Sequence, residues 1–462
     1  MFKTTEILKA LRAHASSSQS LNYGGVSHHS QKIKEGELFV ALKGETFDGH
    51  QFLKEVFERG ALGAVVRKGR VEVHSFKGKQ LFEVADTLTA LGDLAQFHRR
   101  RFSIPVLGIT GSNGKTTTKD LMAQVLSQKC MVLKTEGNLN NLIGLPMTLF
   151  RLNATHQVAV IEMGMSLPFE MKRLASILEP TLGLITNIGK THLETMNSEK
   201  SVARYKTDLF RALKKNGTAF LNRDDLFLKK YQKKLSCHVR TYSLQSKDSD
   251  VFGEVIEALG AKGQRIRCRS QEPFLEVEFQ LPLPGIHNAM NALASFSVAS
   301  FFKLSPDQIC KGFESFTASE SRTQIHHLKQ GICLIDDSYN ANPTSMACAL
   351  ELLKKIASER RTYAVLGDML ALGDQAVAHH KQIAEIINEK SIDNLLTLGP
   401  LAQYYKSVTK KNKKMHIFST LDQSALIEEL IRELKAFPGV VLVKGSRGMQ
   451  MDRVVDALKR QF

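Results

Sequence analysis

The run Thr110-Gly111-Ser112-Asn113-Gly114-Lys115-Thr116-Thr117-Thr118 follows an apolar stretch, Ile104 to Ile109, and reads as strand, glycine-rich loop and helix start. Glycines let backbone N–H groups close around phosphate oxygens, a lysine adds a mobile positive charge, and a hydroxyl at the helix start can ligate magnesium. These residue types in this order point to a nucleoside triphosphate held by Gly111, Ser112, Asn113, Gly114, Lys115, Thr116 and Thr117. The spacing departs from the common phosphate loop: position 109 is isoleucine, and Gly108 comes one place too early.

Ligands of open α/β sheets gather beyond the carboxyl ends of the strands, so polar residues directly after apolar runs are read next. Glu162 ends Val158-Ala159-Val160-Ile161, where a carboxylate and Thr116 can share a magnesium ion. His192 follows the run from Leu184 to Ile188; a loop histidine of this kind is either a ligand or a solvated side chain. Lys206 falls on a helix expected over Ser201 to Leu213, where a lysine is ordinarily a solvated charge. Asp336 and Asp337 open a polar loop that runs to Pro343 directly after Ile335, and two adjacent carboxylates there suit ribose or metal.

The elements that must position these groups follow an α/β rhythm. At 462 residues the chain is too long for one core, and three domains are expected: residues 1–102, 103–320 and 321–462. The first carries short apolar runs such as Leu38 to Leu42 and Gly63 to Val66 and reads as a small α/β domain. The second alternates strands (Val158 to Ile161, Leu182 to Thr186, Thr218 to Leu221) with helices, which implies a buried, mainly parallel sheet. Residues 250–283 alternate as antiparallel strands do, and His287 to Phe302 reads as a helix. The third repeats the pattern, with strands at Cys333 to Ile335, Ala364 to Leu366, Leu395 to Leu398 and Val440 to Val443, and a helix over Ser345 to Ala357.

Composition narrows the class of protein. No stretch of about 18 apolar residues is present to span a bilayer. Met1 to His14 reads as a short amphipathic helix without a secretory centre, so a cytoplasmic location is expected, with no stable membrane insertion. The 6 cysteines show no Cys-x-x-Cys pair, which argues against zinc and for reduced packing residues. A formal charge of +17 raises nucleic-acid binding as an alternative. The basic residues are scattered, however, with local clusters such as Lys229-Lys230, Lys233-Lys234 and Lys410 to Lys414, and without interleaved aromatics. Attraction of small polyanionic substrates accounts for the excess, and neither a nucleic-acid partner nor an oligomer is expected.

The motifs together resemble the Mur ligase family of bacterial cell-wall synthesis over nearly the whole chain. The pieces are Glu37 to Gly44 with Phe47-Asp48-Gly49-His50, the phosphate loop, Gly137 to Asn141 with Ile143 to Pro146, and Ile161 to Gly164. They continue with Thr186-Asn187-Ile188, His192-Leu193-Glu194, Pro284 to Asn288, Asp336 to Met346, Gly367-Asp368-Met369 and Val443 to Arg447. The Asp336 to Met346 stretch resembles the branch that joins D-alanyl-D-alanine to UDP-N-acetylmuramoyl-tripeptide; the Asp-Asn-Pro-Arg signature of the sister enzyme is absent.

The resemblance implies an N-terminal domain for the UDP moiety, a central ATPase and a C-terminal Rossmann-like domain that closes over the nucleotide. It implies an ATP-dependent amide-bond ligase working through an acyl phosphate, with Lys115, Glu162, His192 and Lys206 catalytic. Two magnesium ions would be held by Thr116, Glu162, His192 and a carbamylated Lys206. Asn288 and Asn291 would lie near adenine, and Arg322, Asp336 and Asp337 near phosphates and ribose. Ser27, Ser30, Asn138, Asn140 and Asn141 would meet the UDP-peptide substrate. The chain departs from the family at Ser27-His28-His29-Ser30-Gln31, where Ser-Thr-Asp-Ser-Arg is usual, and at Tyr205-Lys206-Thr207-Asp208, where Ala-Lys-x-Glu is usual. Another ligase of the same superfamily, such as a folylpolyglutamate synthase, and a nucleic-acid-stimulated ATPase are the alternative readings.

Overall fold

The computed structural model describes residues 1–16, 19–407 and 415–462. The basic cluster Lys410 to Lys414 lies outside the described residues. Three main sheets follow one another along the chain, each flanked by helices.

The first is a five-stranded sheet in which Val26–Ser27, Leu38–Val40, Gly63–Arg67 and Gln80–Val84 run parallel and His14–Ala15 adds an antiparallel edge. The amphipathic segment at the N-terminus is shorter than the sequence suggested. Phe2–Lys3 pairs as a strand with Asn22–Tyr23, and the helix covers Thr4–Leu11. Arg12 stops it by taking a left-handed conformation, with φ 49°. The helix Thr87–Arg99 then joins this domain to the next, touching the strand Gly63–Arg67 on one side and the helices Gly144–Leu149 and Glu170–Leu178 on the other. Its buried Leu91, Leu94 and Ala95 belong to one continuous apolar cluster with residues of both domains.

The central sheet has nine strands. Val106–Thr110 lies in its middle, paired in parallel with Val158–Glu162 on one side and Leu182–Ile185 on the other. All five residues of Val106–Thr110 are buried, which suits a continuous apolar run in a two-sided parallel sheet. Because successive crossovers leave this strand in opposite directions, a crevice opens at its carboxyl end, where the phosphate loop begins. The alternating segment forms Val251–Ala258, Gln264–Ser270 and Leu275–Leu281, paired antiparallel as expected.

The third sheet has six strands, five of them parallel: Cys333–Asp336, Val440–Lys444, Thr362–Gly367, Asn394–Leu398 and His416–Thr420. Apolar clusters cover both faces, one against the helices Pro343–Ala357 and Ala376–Glu389, the other against Gln423–Ala436 and Asp452–Gln461. The carboxyl ends of Cys333–Asp336 and Val440–Lys444 face the phosphate loop of the central domain across a cleft.

Candidate active site

The phosphate loop is built where only glycine fits. Gly111 has φ 150°, and a Cβ there would stand 1.9 Å from the Thr186 hydroxyl; Gly114 caps the helix Lys115–Leu126 at φ 78°. The strand-end residues Thr186 and Asn187 hold the loop. Asn187 accepts the Ser112 amide with its carbonyl (2.9 Å) and the Asn113 amide with its side chain (3.0 Å), and Thr186 donates to the Asn113 carbonyl at 2.6 Å. Ser112 exchanges hydrogen bonds with the backbone of Gly189. Lys115 folds back so that its ammonium donates to the Gly111 carbonyl at 2.9 Å. Burial pushes its pKa down against the opposing pull of Glu162. With the Ser112 and Asn113 amides held by Asn187, the first-turn amides of the helix Lys115–Leu126 and the Lys115 cation are left toward one space, the arrangement that receives phosphate.

Beside the loop, Glu162 is 1 % exposed. Its Oε1 accepts from the Asn140 amide at 2.8 Å, while Oε2 is buried with no hydrogen-bond partner and lies 4.0 Å from the Lys119 ammonium. A buried carboxylate oxygen without a hydrogen-bond partner, in the same cleft as Thr116, is a donor that suits a hard divalent cation. His192, which also lines the cleft, has its pKa pushed down to about 4 by burial and by the charges of Lys206 and Lys115. Its imidazole is thus neutral near pH 7 and can offer a lone pair.

Lys206 is 2 % exposed and makes no ion pair or hydrogen bond with the described residues. Burial and the nearby Lys115 hold its pKa well below the ordinary lysine value, so its ammonium gives up a proton more readily than an exposed lysine does. The expected helix from Ser201 to Leu213 is divided at this place into Glu199–Lys206 and Asp208–Arg211. Between the two, the Thr207 hydroxyl donates to the Arg204 carbonyl at 2.9 Å, the local side-chain bond with which threonine competes against helix continuation.

The opposite wall comes from the C-terminal domain. Lys444, at the end of its strand, is 2.5 Å from Asp337 and donates to the Asn340 carbonyl at 2.9 Å. The Arg322 guanidinium stacks on Tyr339 at 3.9 Å from the ring centroid. Asn342 caps the helix Pro343–Ala357 and also donates its amide to Asn113 of the phosphate loop at 2.6 Å, a direct bond between the two domains. The cleft measures about 760 Å³.

Most of the residues singled out in the sequence line this one cleft: Ser112 to Thr117, Asn138, Asn140, Asn141, Glu162, His192, Asn288, Asn291, Arg322 and Asp337. Gly111 and Lys206 lie behind its surface. Asn141 serves its own helix, its side-chain oxygen accepting the amides of Ile143 and Gly144. Asp336 is buried behind Asp337, and its carboxylate accepts the Ser338 amide and hydroxyl. Ser27 and Ser30 sit in the N-terminal domain away from the cleft lining, with Ser27 buried and bonded to the backbone of His29. Sequence reasoning assigned no role to Asn187, Asn342 or Lys444. Asn187 and Lys444 also follow apolar strand runs, the signal that singled out Glu162, but Asn342 is placed only by the meeting of two domains.

Three matches define the class. The catalytic domain of the Mur ligase family matches residues 22–99, the Mur ligase middle domain 109–299 and the Mur ligase glutamate ligase domain 321–447. The chain belongs to the Mur ligase family and is a ligase. Within the family it is similar to enzymes named UDP-N-acetylmuramoyl-tripeptide–D-alanyl-D-alanine ligase. The one from Bacillus subtilis is 32 % identical over 453 residues, covering 98 % of this chain and 96 % of the relative. The one from Escherichia coli is 35 % identical over 446 residues, covering 94 % and 93 %. Among solved structures, MurF from Acinetobacter baumannii superposes with a TM-score of 0.90 at 28 % identity, covering 99 % of each chain. The MurF ligase from Thermotoga maritima, solved in complex with ADP, gives 0.83 at 26 % identity, covering 95 % of this chain and 97 % of that one.

Proposed function

We propose that this protein joins D-alanyl-D-alanine to UDP-N-acetylmuramoyl-tripeptide at the expense of ATP, in the cytoplasm and as a monomer, in the making of peptidoglycan precursor. The observation that carries the reading is the pairing in one cleft of a phosphate loop with a buried carboxylate oxygen on Glu162 that has no hydrogen-bond partner. The likeness to ligases of that name over nearly the whole chain supplies the substrates.

In this reading the tripeptide carboxylate attacks the γ-phosphorus of ATP, ADP leaves, and the acyl phosphate is captured by the dipeptide amine, which expels inorganic phosphate. The carboxylate and the triphosphate repel each other, and the loop amides with Lys115 offset that repulsion where they meet. Thr116 and Glu162 would hold one magnesium ion, and His192 with a carbamylated Lys206 a second; bound there, magnesium supplies charge neutralisation of the phosphates. The buried position and lowered pKa of Lys206 support carbamylation, because the uncharged amine is the form that adds carbon dioxide, and the anion so formed would reverse its charge beside a metal. Asn288 and Asn291 lie on the helix Ile286–Phe301 against the phosphate-loop helix and would face adenine. Arg322, Asp336 and Asp337 would approach the phosphates and ribose, with Asp337 the one that lines the cleft. Asn138, Asn140 and Asn141 would meet the peptide, and Ser27 and Ser30 the UDP end.

An oxygen-isotope transfer tests this chemistry. With ¹⁸O in the terminal carboxylate of the tripeptide, one label should appear in inorganic phosphate for each pentapeptide nucleotide made. Product formed with unlabelled phosphate would contradict the acyl-phosphate route.

A further inference from the structure

We propose that a second cavity, between the helices Glu199–Lys206 and Leu226–Tyr231, is a binding site for a small polyanion carrying several phosphate groups. The cavity measures about 300 Å³ and shares no lining residue with the nucleotide cleft. Five cations line it, Lys200, Arg204, Arg211, Lys230 and Lys234, and no acidic residue does. Arg211 is held in place by Asp208, by the Arg204 carbonyl at 3.1 Å and by the Tyr231 ring, whose centroid is 5.8 Å from the guanidinium. The other four make no ion pair among the described residues.

Like charges facing one void repel, and a multivalent anion in their midst relieves that repulsion at several points together. A held guanidinium fork among exposed lysines is the mixture that receives phosphate oxygens from more than one side. The volume sits at the lower end of the range of about 300–1,000 Å³ for small-molecule sites, which fits a short phosphate chain.

The test is calorimetric titration of the full chain with sodium tripolyphosphate, without magnesium, at physiological ionic strength. The wild type should bind two equivalents, one at the phosphate loop. Lys115→Ala should keep the cavity site, and the double variant Arg204→Ala with Lys230→Ala should lose it, by about tenfold or more in affinity. If Lys115→Ala leaves the isotherm unchanged while the double variant abolishes binding, the cavity stands and the nucleotide reading of the loop falls. A single equivalent lost entirely in Lys115→Ala, or a double variant that binds as the wild type does, would overturn the proposal. So would binding of a single-stranded oligonucleotide with none of tripolyphosphate. Should the double variant fail to fold, crystals of the wild type soaked in tungstate decide: an anomalous peak between Arg204 and Lys230 is expected, and its absence overturns the site.

Discussion

Lys206 is buried, with Lys115 and His192 half-buried beside it; positive charge on either lysine lowers the proton affinity of His192, and charge on Lys115 lowers that of Lys206. No carboxylate is paired with Lys206 among the described residues, so its environment favours a neutral amine or an anionic adduct over an ammonium. Lys206→Ala is expected to lower ligation by about a hundredfold or more, the scale for removing one preorganised electrostatic group from such a site. Short-chain carboxylates should restore part of it, and ¹³C-bicarbonate should give the wild type a carbamate resonance that the variant lacks. Full activity in the variant would place the anion elsewhere. The residues of the phosphate loop, Glu162 and His192 were legible in the sequence because polar groups immediately after apolar runs mark strand ends. Asn342 was not, because its partner Asn113 is distant in the chain and the two meet only when separate sheets face one another.

At the scale of elements, the strand Val106–Thr110 fixes the loop, and Gly111 sets how closely the loop can approach Thr186. Gly111→Ala should displace the loop and weaken ADP binding by about a hundredfold, read by calorimetry, since its methyl group would meet a threonine held by two backbone carbonyls. Unchanged ADP affinity would mean that the loop does not carry the nucleotide. A second element, the turn after Thr362–Gly367, is anchored by His380. Its ring accepts the Met369 amide at Nε2 (3.1 Å) and meets the Ala376 carbonyl through Nδ1 at 2.7 Å, which fixes the neutral tautomer with hydrogen on Nδ1.

Burial holds His380 below its ordinary value of 6.5, so just below that pH the unfolded chain binds the extra proton. The stability its neutral ring contributes is complete above pH 6.5 and is lost as pH falls toward the folded value. His380→Ala should therefore cost about 1–3 kcal/mol at neutral pH. The gap to wild type in urea unfolding should narrow as pH falls below 6.5; a gap that widens would contradict the assignment. The sequence located most strands to within a residue or two, but the helix through Lys206 was read as continuous. The Thr207 side-chain bond that divides it belongs to local geometry, which apolar periodicity does not reveal.

Across the whole molecule, the three sheets were legible from alternating strands and helices, but their mutual placement was not. The helix Thr87–Arg99 locks the first domain onto the second through a shared apolar cluster. The second and third meet at the cleft, where Asn342 reaches Asn113. Asn342→Ser keeps an oxygen to cap the helix Pro343–Ala357 but is too short to span that bond. It should raise KM for ATP several-fold and increase the radius of gyration in solution scattering; no change in either would show that the bond does not hold the domains together. In the proposed reaction the meeting of these domains serves dipeptide ligation. Its most direct measurement is phosphate release from ATP and magnesium in the presence of UDP-N-acetylmuramoyl-tripeptide, with and without D-alanyl-D-alanine, with the product weighed by mass spectrometry. Release that requires the dipeptide and yields the pentapeptide nucleotide is the predicted result. Folded protein that releases no phosphate with either lysine or diaminopimelate tripeptide, or releases it without joining the dipeptide, would contradict the account.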